Sequence, residues 1–155
     1  MGIEVREGCI FEAFDKGIVY AIAHQTNIDG AMGAGIAREI AARYPSVLAD
    51  FKALKNPLLG QVLASQLKDD RIVFNVYAQS LFPRNELKKT NYEALYNGFK
   101  TVADYCKRAN IRSLGVPFNL GCGLGGGDWG IIRAIFNCLF EKREEVNLII
   151  FEKKS

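Results

Sequence analysis

A single histidine, His24, is all the imidazole this chain has, and none of its cysteines forms a C-x-x-C pair with another. Zinc needs several thiolates or imidazoles at set spacing, so no metal site and no cofactor is expected. Cys9, Cys106, Cys122 and Cys138 are scattered, as thiols are in a reducing cytosol and not in a disulfide scaffold. No apolar run approaches the roughly 20 residues of a membrane span, which argues against a membrane partner. The start Met-Gly-Ile-Glu-Val-Arg carries no apolar signal segment. Gly2 suggests myristoylation, but Arg6 stands where Ser or Thr is wanted. A cytoplasmic setting is the expectation. Excess charge is small as well, a formal +3. That favours an anionic ligand yet is too little to mark a nucleic-acid binder.

Repeats, low-complexity tracts and linkers are also missing. What remains is 155 residues, 49% hydrophobic and 24% charged, the size and composition of one globular domain over residues 1–155 with a core of its own. A monomer is expected. Short apolar or β-branched runs predict strands at Ile3–Arg6, Ile18–Ala23, Gln61–Gln66, Ile72–Ala78, Ser113–Pro117 and Leu148–Phe151. Between them lie helical patterns. Ile36, Ile40 and Tyr44 mark one face of a helix that Pro45 should stop, after which Ser46 would cap a second helix to Leu54. Thr90 and Glu93 read as a capping box, followed by Tyr92, Leu95, Phe99, Val102 and Cys106 on one face. Asp128 opens a last helix with Ile131, Ile135, Leu139 and Ile132, Phe136, Phe140 on adjoining stripes. Alternating strands and helices predict an α/β fold, a mixed or parallel central sheet between helices in three α/β/α layers. Ligands bind such sheets where strand ends meet helix starts.

Two glycine-rich segments fall at that position. The first is His24-Gln25-Thr26-Asn27-Ile28-Asp29-Gly30-Ala31-Met32-Gly33-Ala34-Gly35, and the second runs from Asn119 through Gly121-Cys122-Gly123-Leu124-Gly125-Gly126-Gly127. Glycine lets backbone N–H groups approach a ligand closely. A helix start adds unpaired donors and partial positive charge, so each segment is a candidate anion cradle. A P-loop is excluded, because no Gly-Lys-Ser/Thr follows either segment. Gly121-x-Gly123-x-x-Gly126 matches the dinucleotide fingerprint only as a pattern, without a clearly placed acidic partner.

Both segments resemble the ligand loops of macro domains: Ala23 to Ala37 the first, Val116 to Trp129 the second, with Arg6-Glu7-Gly8-Cys9-Ile10 where that family has its adenine-side turn. The resemblance covers essentially the whole chain. His24 three residues before Asn27, with Gly126-Gly127-Asp128-Trp129 in the second loop, is most similar to the short ADP-ribose-1″-phosphate phosphatase branch. That resemblance implies a metal-free site for ADP-ribose or ADP-ribose-1″-phosphate. Its ligand contacts would be Gly8, Cys9, Ile10, Asn27, Gly33, Ala34, Gly35, Ile36, Gly121, Cys122, Gly123, Leu124, Gly125, Gly126 and Trp129. It implies removal of the 1″-phosphate, with a binding module or a hydrolase of ADP-ribosyl esters on protein or nucleic acid as alternatives. Nucleic acid is otherwise not expected as a partner. Two departures stand out. Cys9 replaces the usual aspartate, and a thiol is a weak acceptor for an adenine amine. Gln79 and Gly125 stand where the terminal ADP-ribose glycohydrolase branch has its lysine and aspartate, which argues against lysine-adduct chemistry.

Several side chains carry two readings each. His24 and Asp128 are the candidate catalytic residues: His24 moves a proton or braces Asn27, and Asp128 activates water or caps its helix. Asn27 touches the ligand or closes its own Asx-turn. Trp129, Phe118 and Phe82 stack on the ligand or belong to the core. Cys122 reads as a packing residue rather than a nucleophile. Arg84, Lys88 and Lys89 form a lid over phosphate or a solvated loop.

Overall fold

A computed structural model describes residues 2–33, 35–81, 89–123 and 125–153. In chain order the elements are β1 (Ile3–Glu7), α1 (Ile10–Asp15), β2 (Ala21–Asn27), α2 (Gly35–Arg43), α3 (Pro45–Ala53) and β3 (Val62–Gln66). They continue with β4 (Ile72–Gln79), α4 (Tyr92–Ala109), β5 (Ser113–Pro117), α5 (Trp129–Phe140) and β6 (Asn147–Glu152). The expectations at Phe82, Arg84 and Lys88, and at Ala34 and Leu124, lie outside the described residues.

Six strands form one sheet in the order β1-β6-β5-β2-β4-β3. Every pairing is parallel except β3 with β4, which is antiparallel. Side chains alternate across the strands, so β2 sends Ala21 and Ala23 to one face and Ile22 to the other. One face packs under α4 and α5, with Leu95, Phe99, Val102, Ile132 and Phe136 against Phe74, Val76, Leu114 and Leu148. The opposite face packs under α1, α2 and α3, with Phe14, Ile40 and Phe51 against Val73, Tyr77 and Ile149. This is the three-layer α/β fold expected from the sequence.

Three local readings are corrected. β2 ends at Asn27 and not at Ala23, so His24, Gln25, Thr26 and Asn27 are buried strand residues. Their hydrogen-bonding side chains made them read as loop. Pro45 does stop α2, but it also starts α3 as a first-turn residue behind Tyr44. Its missing N–H costs nothing at that position, and Ser46 is no cap. At α4 the cap is Asn91, whose side chain accepts from the Ala94 N–H at 2.9 Å. Thr90 is thereby released for another contact. The short helix α1 was not foreseen, since six residues give too little periodicity to read.

Two connections fix where a ligand can enter. β2 leads to α2 on one face, and β5 leads to α5 on the other. These neighbouring strands are registered only at Ala21↔Leu114 and Ile22↔Gly115. Beyond that point their carboxyl ends part, which opens a crevice at a topological switch point.

Phe99 sits at the centre of the α4–α5 layer, 0% exposed, with its ring edge-on to Phe136 at 4.9 Å. Truncation leaves a cavity that a packed layer cannot close, so Phe99→Ala should cost about 3–5 kcal/mol in urea unfolding. A loss below about 1 kcal/mol would show that this layer is not the core.

Candidate functional site

The crevice is a cavity of about 420 Å³. Its walls are the two glycine segments, with Gly33, Gly35 and Ile36 on one side and Gly121, Gly123 and Gly125 on the other. Its floor is Gln25, Thr26, Asn27 and Gln79. A second cavity of about 540 Å³ adjoins it, lined by Gly8, Cys9, Ile10, Glu39 and Glu152. Gly35, Ile36, Pro117 and Phe118 line both. The two cavities form one cleft, whose volume is of the size that takes a small-molecule ligand.

Each wall presents backbone donors. The first turn of α2 has no intrahelical acceptor for the N–H groups of Gly35, Ile36 and Ala37, all three on the cavity. No acidic residue stands in that turn, so the positive end of the helix dipole is unopposed. Opposite, the N–H groups of Gly123 and Gly125 find no acceptor among the described residues. α5 differs from α2. Its cap, Asp128, accepts from the Gly130 N–H at 2.8 Å, which occupies that helix end with a carboxylate. Only one of the two helix starts is therefore open to an anion, and the second segment contributes through its loop.

Glycine loops have few side chains with which to hold themselves, so their shape comes from neighbours. In the first segment Asn27 does this. Its Oδ1 accepts from the N–H groups of Asp29 and Ala31 at 3.0 and 3.2 Å, and its Nδ2 donates to the Ala31 carbonyl at 2.8 Å. The Asx-turn reading of Asn27 holds, and a ligand is left one amide hydrogen. Asp29 accepts from the Leu81 N–H at 2.7 Å, tying the loop to the end of β4. In the second segment Thr90 is the anchor. Its hydroxyl donates to the Gly121 carbonyl at 2.7 Å and accepts from Gln25 Nε2 at 2.8 Å. The N–H groups of Thr90 and Lys89 reach the Gly125 carbonyl at 2.9 and 2.6 Å. A Cβ on Gly125 would run into Thr90 Oγ1, and one on Gly127 would come within 2.8 Å of the Gly121 carbonyl. These glycines are there for close packing.

His24 is placed against its expected catalytic role. It is 0% exposed, lies on neither cavity's lining, and holds Asn75 rather than Asn27. Asn75 Nδ2 is engaged by the Leu63 carbonyl and Ser65 Oγ, so its Oδ1 must face the imidazole. His24 Nε2 therefore donates, at 2.8 Å, and Nδ1 is left without a partner among the described residues. Burial pushes the pKa down to about 4 against the opposing pull of the Asn75 bond. At neutral pH this is an uncharged core imidazole with no route to a ligand.

Asp128 is exposed, caps α5 and is absent from the lining of either cavity. Trp129 packs between Phe118 and Phe136, with ring centroids 5.0 and 6.1 Å away, so it backs the cleft while Phe118 faces it. Cys122 also lies off the cavity lining, and its thiol is pushed up by burial and by the Asp128 charge; a packing residue fits, a nucleophile does not. The Gly126 N–H is used inside the loop, on the Gly123 carbonyl at 3.0 Å. Gly8, Cys9, Ile10, Gly33, Gly35, Ile36, Gly121, Gly123 and Gly125 do come together on the cleft.

Sequence reading missed Gln25, Gln79 and Thr90. Gln25 Nε2 also approaches Gln79 Oε1, at 3.2 Å, while Gln25 Oε1 has no partner among the described residues. Such a buried orphan costs about 1–3 kcal/mol. The available signal was a run of uncharged polar residues closing an apolar strand. Among the described residues no group of three His, Cys, Asp or Glu side chains could hold a metal. No described residue lining the first cavity is charged.

No family model matches the chain. A curated relative, the DNA ADP-ribosyl transferase–DNA ADP-ribosyl glycohydrolase fusion protein of Thermosipho africanus, is 27% identical over 142 residues. That match takes in 81% of this chain and 36% of the relative, so the chain spans about a third of that protein's length. Among solved structures, the macrodomain of Mycobacterium tuberculosis DarG is similar at a TM-score of 0.80, with 22% identity over 96% of each chain. Thermosipho africanus DarTG in complex with ADP-ribose is similar at 0.79, with 21% identity over 98% of this chain and 42% of that one.

The state of His24 gives a test by pH. Its folded pKa near 4 lies below the ordinary 6.5, so the unfolded chain binds the proton first. The stability His24 contributes is complete above about pH 6.5 and is lost as pH falls toward 4, by up to about 3 kcal/mol. In His24→Asn this part of the acid sensitivity should vanish. Equal pH slopes of the urea midpoint in both proteins between pH 7 and 4.5 would refute the buried neutral imidazole.

Proposed function

The chain has the macrodomain fold, and from that premise we propose that its cleft binds ADP-ribose. One observation carries the reading: both glycine segments line one cavity from opposite sides, and each has backbone N–H groups with no acceptor among the described residues. A diphosphate between them is held by oriented amide dipoles and the start of α2, with no cation required. The second cavity, with Gly8, Cys9 and Ile10, receives the base. Phe118 stands at the junction of the two cavities. The terminal ribose lies over Thr26, Asn27 and Gln79, neutral groups suited to hydroxyls.

The chemical fate of the ligand follows from which groups reach it. Removal of a 1″-phosphate was to rest on His24 and Asp128, and neither lines the cleft. The curated relative supports a different hydrolytic reading, release of ADP-ribose from ADP-ribosylated DNA. In that reading the cleft holds the ADP-ribosyl group; water's oxygen adds to the anomeric carbon of the terminal ribose, the glycosidic bond to the DNA breaks, and a proton from the water goes to the departing DNA atom. Gln79 lies on the floor and has no nucleophilic amine, and no described residue of that lining is a lysine, which argues against a lysine adduct.

Calorimetric titration of ADP-ribose, ADP-ribose-1″-phosphate and AMP in parallel checks the binding reading. ADP-ribose should bind well above AMP; equal affinities would mean the diphosphate and distal ribose are not read. Ile36→Glu places a carboxylate beside the phosphate and should weaken ADP-ribose by about tenfold or more. Mass spectrometry of an ADP-ribosylated oligonucleotide, with phosphate release from ADP-ribose-1″-phosphate measured alongside, separates the hydrolytic readings. An unchanged oligonucleotide over long incubation removes the second.

A further inference from the structure

We propose that Gln25 and Thr90 form a positioning pair that sets the second glycine loop for the ligand. The inference rests on the ADP-ribose reading of the cleft. Its starting point is proton count. Thr90 has one hydroxyl hydrogen, and it goes to the Gly121 carbonyl at 2.7 Å. Thr90 Oγ1 can then only accept from Gln25, which must present its amide nitrogen, at 2.8 Å. The other amide hydrogen points to Gln79 Oε1 at 3.2 Å. The orientation of the Gln25 side chain is thus dictated from outside, and its own oxygen is left with no donor among the described residues.

A buried strand selected for stability alone would carry an apolar residue at Gln25, which is 8% exposed. Buried polar groups without partners are rare and cluster where function requires them. Here the bonds that Gln25 and Thr90 do make run to the loop that walls the cavity. Thr90 holds the loop twice, by its hydroxyl at Gly121 and by its N–H at Gly125. With both carbonyls drawn toward Thr90, the donors of Gly123 and Gly125 are left for the ligand. The hydroxyl is available because Asn91 caps α4. Thr90 is 2% exposed and absent from the cavity lining, so it acts through the loop.

The test uses the full chain and four proteins: wild type, Gln25→Met, Thr90→Val and Thr90→Ser. ADP-ribose affinity is read by calorimetry, the thermal midpoint by melting, and loop opening by hydrogen exchange of the peptide over residues 119–127. Gln25→Met and Thr90→Val should each lose about tenfold or more in affinity, with faster loop exchange. Thr90→Ser keeps the hydroxyl and should stay near wild type in both. Gln25→Met removes the orphan acceptor but also the donor to Thr90 Oγ1 and Gln79 Oε1, so its midpoint should change little while affinity falls. A merely structural role moves the midpoint and leaves the affinity of the folded protein unchanged. Wild-type affinity and wild-type loop exchange in both Gln25→Met and Thr90→Val would overturn the proposal. If the wild type itself fails to bind ADP-ribose, the function reading falls, and the exchange arm still decides whether the pair sets the loop.

Discussion

Two adjacent parallel strands, β2 and β5, stay in register for only two residue pairs and then diverge. Everything at the site depends on that parting. Because β2 continues into a helix on one face and β5 into a helix on the other, no connection fills the gap. The loops that follow the two strands become its walls, and the polar end of β2 becomes its floor. The core on each face supplies the stiffness that keeps the gap open, since packed layers resist closing over a void.

As the proposed site for a diphosphate, the cleft is notable for the groups that line it. Its described inner lining has no lysine, arginine or histidine; beside apolar side chains such as Ile36, Phe118 and Leu120, its polar groups are side-chain amides, a hydroxyl and peptide groups. Such donors are strong only when aimed beforehand. A glycine-rich loop is free to aim them but cannot hold itself in place. The fold resolves this by anchoring each loop to side chains of the sheet and of the α4 entrance. Asn27 folds the first loop around its own amide, and Thr90 fastens two carbonyls of the second. The anchors are buried and neutral, which keeps them from competing with the ligand for charge.

Much of the architecture was legible in the chain. Strand β5 was read at its observed ends, and the buried face of α4 and the Ile132, Phe136, Phe140 stripe of α5 were read from three- and four-residue spacing, whereas Ile131, read onto the adjoining stripe, is exposed. Both glycine segments were read as walls of one site. Errors came where one residue type serves two purposes. His24 to Asn27 looked like loop because hydrogen-bonding side chains usually mark solvent, yet here each lies in a central strand. His24 looked like a proton carrier because its pKa in water suits that work, and burial removed it from the site. Thr90 looked like a helix cap because Thr-x-x-Glu is the capping signature, but Asn91 stands one residue nearer and took the cap.

The sequence by itself determined the layers, the helix faces and the two stretches of exposed backbone, because periodicity and glycine content act locally. Which polar side chains line the cleft, and which are shut inside the sheet, was decided by tertiary structure alone. Alternation along a strand says that His24 and Gln25 point opposite ways, not which way leads to the cavity. That choice is made by the register with β4 and by the loop that arrives from Gly121, contacts with partners dozens of residues away.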